Sequence, residues 1–193
     1  MLMSYLKYLN PKAHQKIVLM QDELNIDIVA CNPSITRLGV FIVRIGNKNL
    51  IKINNDLNQE SFLITLLHEL AHAFVYEKYN NTIRPHGKEW KSMYKLIMLD
   101  FLHPDYFNKE TIKVLSRHLL NPKASSNADV DLYRLLNIHD ADKTVSDLND
   151  GDEFFFRNNR YRRVCKLRKN YQCIQITTNK IYRFSPIAKI ELL

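Results

Sequence analysis

Glycine is scarce in this sequence, with four among 193 residues. Few sharp turns can therefore rest on glycine, and helices should be prominent. Cysteine is scarce too: Cys31, Cys165 and Cys173 form an odd, sparse set. That set argues against a disulfide framework and fits a reducing, cytoplasmic setting. Long apolar runs are missing. The opening MLMSYLKYLN is interrupted by Lys7, and no small-residue cleavage site follows it. Neither a signal peptide nor a membrane span is expected. Acidic residues run short near the end: from Gly151 to Leu193, ten Lys/Arg face only Asp152, Glu153 and Glu191, an excess of seven in a chain whose net charge is +8.

What is present points to a packed, mixed structure. Hydrophobic residues make up 46% and charged residues 25%, enough for a core and too ordered a balance for a disordered chain. Pro11 to Leu24 reads as a helix, with Ile17, Met20 and Leu24 on one face. IDIVAC, from Ile26 to Cys31, is strand-like. LGVFIVRI (38–45), a Gly46-Asn47 turn and NLIKIN (49–54) read as a hairpin in a small sheet. Asn58 to Tyr79 is a long helical pattern carrying Phe62, Leu66, Leu70 and Phe74. A second helix follows the Pro85–Gly87 punctuation, with Trp90, Met93, Tyr94 and Ile97 spaced for burial, and HPDYFNKETIKVLSRHLL suggests a third.

NPKASSNAD (121–129) is the best linker, followed by a short helical piece over Val130 to Asn137 and an acidic stretch around 140–150. The expected division is a first domain over 1–120, a linker with a short helix over 121–150, and a basic β-rich unit over 151–193. In that unit EFFFRN, RYRRVCKL, YQCIQITT, KIYRFS and AKIELL read as short strands.

The chemistry lies in HELAHAFVYEKYNNTIRPHGKEW, His68 to Trp90. His68 and His72 are four residues apart and share one face of a helix. Imidazole suits Zn²⁺, and two rings on one rigid turn lose little entropy on binding. Glu69, next to His68 but angled away from the ligand pair, can reach a water held by the metal, whose pKa zinc lowers towards about 7. The surrounding FLITLLHELAHAF is apolar on most sides, so buried histidines there need partners. A catalytic zinc usually takes three protein ligands and keeps one open position. His86, bracketed by Pro85 and Gly87, is preferred over Glu89 as the third, because a Pro-His-Gly turn is an unusual setting for an ordinary surface residue. The spacing does not fit the metzincin pattern. Tyr76 and Arg84 are both open candidates for steadying an oxyanion. Trp90 reads as core. His14, His103, His118 and His139 have no ligand spacing and read as surface or capping residues.

HELAHAFVYEKY…RPHGKEW resembles the SprT-like zinc metallopeptidase family, whose eukaryotic relatives include Spartan. His68, Glu69 and His72 match its HExxH, and His86, Gly87 and Trp90 match the following H-G-x-x-[WF]. The match is specific over Phe62 to about Met98 and looser over Leu38 to Asn58. The resemblance implies an α+β, zincin-like core in which a small sheet packs on the HExxH helix and neighbouring helices, with zinc on His68, His72 and His86 and Glu69 as general base. It also implies protein substrates associated with DNA.

The tail departs from the family pattern. Many members end in a zinc ribbon with two Cys pairs, whereas here Cys165 and Cys173 stand without any C-x-x-C and read as ordinary strand cysteines. The tail's basic side chains remain candidates for sequence-independent phosphate contact with DNA, with Arg160, Arg162, Arg163, Lys166, Arg168 and Lys169 foremost. The expectation is a zinc-dependent peptidase. Its rival is a catalytically idle module, stabilised by zinc, that binds nucleic acid or regulates. Glu69 separates the two, because holding zinc does not require it.

Overall fold

The computed structural model describes residues 3–34, 37–122, 130–136 and 143–193. His139, Asn137 and residues 123–129 of the expected linker lie outside the described residues. The chain divides into two compact units, 1–126 and 127–193. The first mixes helices with a small sheet, the second is mostly strand, and the whole is α+β as expected.

In the first unit, the expected N-terminal helix begins with a 3-10 turn. Pro11–Ala13 forms that turn, capped by the Asn10 side chain, and α1 runs over His14–Leu24. Asn25, in the left-handed conformation, ends it. Strands β1 (Asp27–Cys31), β2 (Gly39–Ile42) and β3 (Leu50–Asn54) form one sheet in the order β1-β3-β2. β1 runs parallel to β3, whereas β2 and β3 are antiparallel, with Ile42 opposite Leu50. The connection is longer than a two-residue turn. Arg44 folds back across it, its backbone N–H donating to Asn49 Oδ1 at 3.0 Å and its guanidinium pairing with Asp27. β1 and β2 are the two edge strands.

Helix α2 (Gln59–Tyr79) starts where Asn58 accepts a hydrogen bond from the Ser61 N–H at 2.9 Å, a standard N-cap. Its residues Phe62, Leu63, Leu66, Leu67, Leu70 and Ala71 are all fully buried. The helix packs on β2 and β3 on one side and on α3 (Lys88–Leu99) on another, which explains why its apolar residues go nearly all the way round. α4 (Lys109–His118) is capped by Asn108. Glu60, in the first turn of α2, accepts from the Asn108 backbone N–H at 2.6 Å and from the Thr111 hydroxyl, tying α4 to the start of α2. Among the described residues, no helix is long and apolar enough to cross a membrane.

The second unit holds α5 (Val130–Leu136) and a six-stranded sheet. Its strands are β4 (Lys143–Thr144), β5 (Glu153–Phe156), β6 (Asn159–Lys166), β7 (Tyr171–Gln175), β8 (Ile181–Phe184) and β9 (Lys189–Leu192), in the order β4-β9-β5-β6-β7-β8 with antiparallel neighbours throughout. Arg157 and Asn158 both take positive φ (49° and 63°), the backbone of a type I′ hairpin turn between β5 and β6. The core is built from Val145, Leu148, Phe154, Tyr161, Tyr171, Cys173, Phe184 and Ile190. Val145 and Leu148 fall in the stretch read from sequence as linker. They are instead built into this unit, because β4 pairs with β9 and draws the following turn onto the core.

Candidate metal centre

His68 and His72 lie one turn apart on α2, as their spacing requires, with ring centroids 5.1 Å apart. His86 reaches them from the loop before α3. The Gly87 N–H donates to the Arg84 carbonyl at 3.0 Å, closing a four-residue turn over Arg84–Gly87. Pro85 occupies its second position and His86, at φ 55°, its third. Pro followed by a positive φ defines a type II turn, whose third position normally goes to Gly or Asn. A histidine there accepts backbone strain, and in exchange its ring points back over α2. Gly87 caps α3, and a Cβ on it would lie 2.8 Å from the Arg84 carbonyl oxygen, so no larger residue fits without moving the turn.

The three rings converge on their Nε2 atoms. His86 Nε2 is 3.2 Å from His68 Nε2 and 2.9 Å from His72 Nε2. A neutral ring nitrogen offers one proton or one lone pair, so His86 cannot satisfy both neighbours by hydrogen bonding. A shared cation would take one lone pair from each. Ligand nitrogens on a tetrahedral zinc, each about 2.0–2.1 Å from the ion, stand about 3.3 Å apart, close to these separations. Among the described residues, this trio is the group of His, Cys, Asp or Glu side chains able to hold a metal ion. Glu89 is not part of it, and neither are Cys165 and Cys173, which are free on β6 and β7.

The surroundings keep the rings neutral. Burial, then the neighbouring His72, His86 and His118, pushes the His68 pKa down from 6.5 to about 2. Burial and His86 push His72 down to about 4, and burial lowers His86 as well. Neutral imidazoles are the form that ligates.

Trp90 packs against all three rings, with centroids 4.6 Å from His68, 5.3 Å from His72 and 4.6 Å from His86. It is only 1% exposed, so Trp90 is core as expected, and that core is the back wall of the histidine cluster. Tyr94 stacks behind Trp90 at 5.0 Å, and His118 lies against Tyr94 at 6.2 Å. The spacing rule places His118 at the surface. It is 5% exposed instead, because the last turn of α4 packs into the unit. His14 and His103 follow the expectation: His14 Nε2 meets the Leu6 carbonyl and His103 pairs with Asp105.

Glu69 faces the sheet. It is 8% exposed, and burial raises its carboxyl from 4.5 to about 7. The backbone N–H of Phe41 on β2 and the charge of Arg37 pull in the opposite direction. β2 comes this close because residue 39 is glycine. A Cβ there would lie 3.1 Å from Glu69 Cγ and 2.7 Å from Thr65 Cγ2. The sequence offered no sign of this approach beyond a lone glycine at the start of a strand. Of the oxyanion candidates, Tyr76 packs against Phe41 with centroids 5.8 Å apart, and Arg84 sits in the His86 turn.

A model of the SprT-like family matches residues 11–113. The chain belongs to the SprT-like family. No curated protein and no solved structure matches it. The family match spans the first unit from α1 into α4 and contains the whole histidine cluster, Glu69 and Trp90.

The basic side chains expected to meet phosphate lie in the second unit and divide into two groups. Arg160 and Arg162 both pair with Glu153, at 2.6 and 2.7 Å. The Arg163 side chain is 11% exposed. It pairs with Asp150 at 2.8 Å, donates to the Val145 and Leu148 carbonyls and stacks on Tyr171 at 4.1 Å. It is a structural brace rather than a free charge. Lys166, Arg168 and Lys169 stand at the β6–β7 turn.

Proposed function

We propose that this SprT-like chain is a zinc-dependent metallopeptidase, with His68, His72 and His86 holding the metal and Glu69 as general base. The observation that carries the reading is the convergence of three neutral Nε2 atoms on the helix that also carries a buried carboxyl group poised near neutral pH. Zinc, when bound, acts as a Lewis acid towards a carbonyl and makes water acidic enough to lose a proton near neutral pH.

The chain's own groups supply the rest. Trp90 and Tyr94 close the inner side of the cluster, excluding water from behind the ligands. The Phe41 backbone hydrogen bond and the charge of Arg37 favour the ionised form of Glu69 and offset part of the rise that burial causes. A carboxylate poised near pH 7 takes a proton from the attacking water and can return it to the leaving amine. Turnover of a peptide or protein substrate by wild type, lost in Glu69→Gln with zinc retained, tests the assignment.

Protein substrates on DNA are the class we favour, on the strength of family resemblance and of the basic second unit. Phosphate contact there would fall first to Lys166, Arg168 and Lys169, since Arg163 is committed within the protein and Arg160 and Arg162 share the one carboxylate of Glu153.

A further inference from the structure

Beside His86 a groove of about 670 Å³ opens in the first unit. Its charged lining is of one sign: Arg84, Lys88, Lys91 and Lys95, with no acid among the lining residues. Three of these cations stand on α3 at spacings of three and four residues, which places them along one stripe. From Lys88 to Lys95 the stripe covers about 10 Å at about 1.5 Å per residue, the length of roughly three extended residues. Like charges at this spacing repel one another and cost stability. Lys91 donates to a neutral partner, Asn121 Oδ1, at 2.8 Å. A concave positive stripe of this kind concentrates anions.

We propose that this groove is a specificity subsite that selects acidic side chains of the substrate beside the bond to be cut. The proposal rests on the peptidase reading, and it commits to a peptide rather than a single-stranded nucleic acid on two grounds. First, His86 itself lines the groove, which sets one side of it beside a member of the histidine cluster. A peptide whose scissile bond lies there extends its own neighbouring residues into the groove. Second, the groove has no aromatic residue other than the His86 ring. Single-stranded nucleic acid is held by bases stacked on aromatic rings as well as by charge. Pro85, Leu120 and Pro122 line it instead, with Leu120 80% exposed. Small apolar surfaces between ammonium groups suit the methylene stem and carboxylate of Glu.

The test uses the full-length, zinc-loaded protein and fluorescence anisotropy, with no cleavage needed. The probes are a labelled heptapeptide with three Glu, the same peptide with Gln, and a labelled single-stranded oligonucleotide. Wild type is expected to bind the Glu peptide roughly tenfold more tightly than the Gln peptide at low salt. Lys91→Glu/Lys95→Glu should abolish that preference. Lys91→Gln/Lys95→Gln, which adds no repulsion, should reduce it to near parity. Equal binding of the two peptides by wild type, or a preference unchanged in both variants, overturns the proposal. So does an oligonucleotide affinity that falls further than the Glu-peptide affinity in the variants. Failure of the peptidase reading looks different: the Glu peptide binds in a Lys91- and Lys95-dependent way, yet no peptide is cut by wild type.

Discussion

The backbone N–H of Phe41 donates to the Glu69 carboxylate, joining edge strand β2 to the helix that carries two of the three clustered histidines. The position of the carboxylate is therefore set by the sheet as well as by its own helix, and the close approach depends on Gly39.

Gly39→Ala is expected to disturb that approach. Its Cβ would meet Thr65 Cγ2 at 2.7 Å and Ile53 Cδ1 at 2.8 Å. Overpacking of this kind costs about 1–3 kcal/mol. Urea denaturation should show the reduced stability, and turnover should fall because Glu69 is displaced, while zinc content is maintained. Unchanged stability would mean that β2 can lift away without cost.

Glu69→Gln isolates the base. The amide keeps the size and can still accept from Phe41, but it cannot take a proton. Zinc content should match wild type, and peptide hydrolysis should fall by about 10²–10⁴-fold, the usual worth of a positioned general base. A variant that cleaves as fast as wild type removes Glu69 from the mechanism. A wild type that cleaves nothing, with or without DNA present, returns the chain to the idle-module reading.

Elemental analysis decides the third ligand. His86→Ala should lose most of the bound zinc, and Glu89→Ala should retain it, because only the three histidines converge among the described residues. Stripping the metal from wild type with a chelator should lower the melting temperature, since binding to the folded state alone adds stability. Zinc retained by His86→Ala and lost from Glu89→Ala would reassign the site.

Charge reversal in the second unit should separate binding from bracing. Lys166→Glu/Arg168→Glu/Lys169→Glu is expected to weaken DNA binding. It should also flatten the salt dependence, by about one unit of slope for each phosphate the protein no longer neutralises. Folding of the unit should be unaffected. Arg163→Ala should instead destabilise the unit, because the guanidinium is mostly buried against Asp150, two carbonyls and Tyr171. DNA binding that ignores the triple reversal leaves these charges as a solvated face.

Tyr5 gives a pH test away from the metal. Its hydroxyl donates to Gln21 and its ring is fully buried, and burial, then the charge of Asp22, pushes its pKa from 10 to about 12. A folded pKa above the unfolded one stabilises the fold below about pH 10, and the contribution is lost as pH rises through about 12. The stability difference between wild type and Tyr5→Phe should therefore be constant up to about pH 10 and shrink above it in chemical denaturation. A difference independent of pH across that window would place the hydroxyl in water.

Much of the fold is legible in the sequence because periodicity reports burial directly. The apolar run through Phe62, Leu66 and Leu70 marks α2, and the alternating runs after residue 151 mark β5 to β9. The ligand pair is legible because i, i+4 spacing fixes a shared face. What pairing and packing decide is not. Arg160 and Arg162 meet the one carboxylate of Glu153 only once β5 and β6 are in register, and Arg163 reaches back to Asp150, so a count of charge does not show which cations are braced. His118 has no ligand spacing and reads as polar, yet the end of α4 buries it. Trp90 reads as apolar, and it is buried. That its neighbours are the three histidines depends on the crossing of α2 and α3, which no local pattern encodes.

The left-handed backbone at residue 86 also has a bearing on how such a chain can change over generations. Glycine is the residue that a type II turn prefers there, and a non-glycine residue at such a position carries a cost of about 1–3 kcal/mol. Metal-free His86→Gly is accordingly expected to melt above metal-free wild type, and an equal or lower melting temperature would show that the lost packing on Trp90 matches or outweighs the strain of the turn. If the zinc-binding reading holds, a lineage that no longer used the metal would have a stabilising substitution open to it at residue 86. On the zinc-binding reading, histidine at this position gives up turn stability in return for a third ligand.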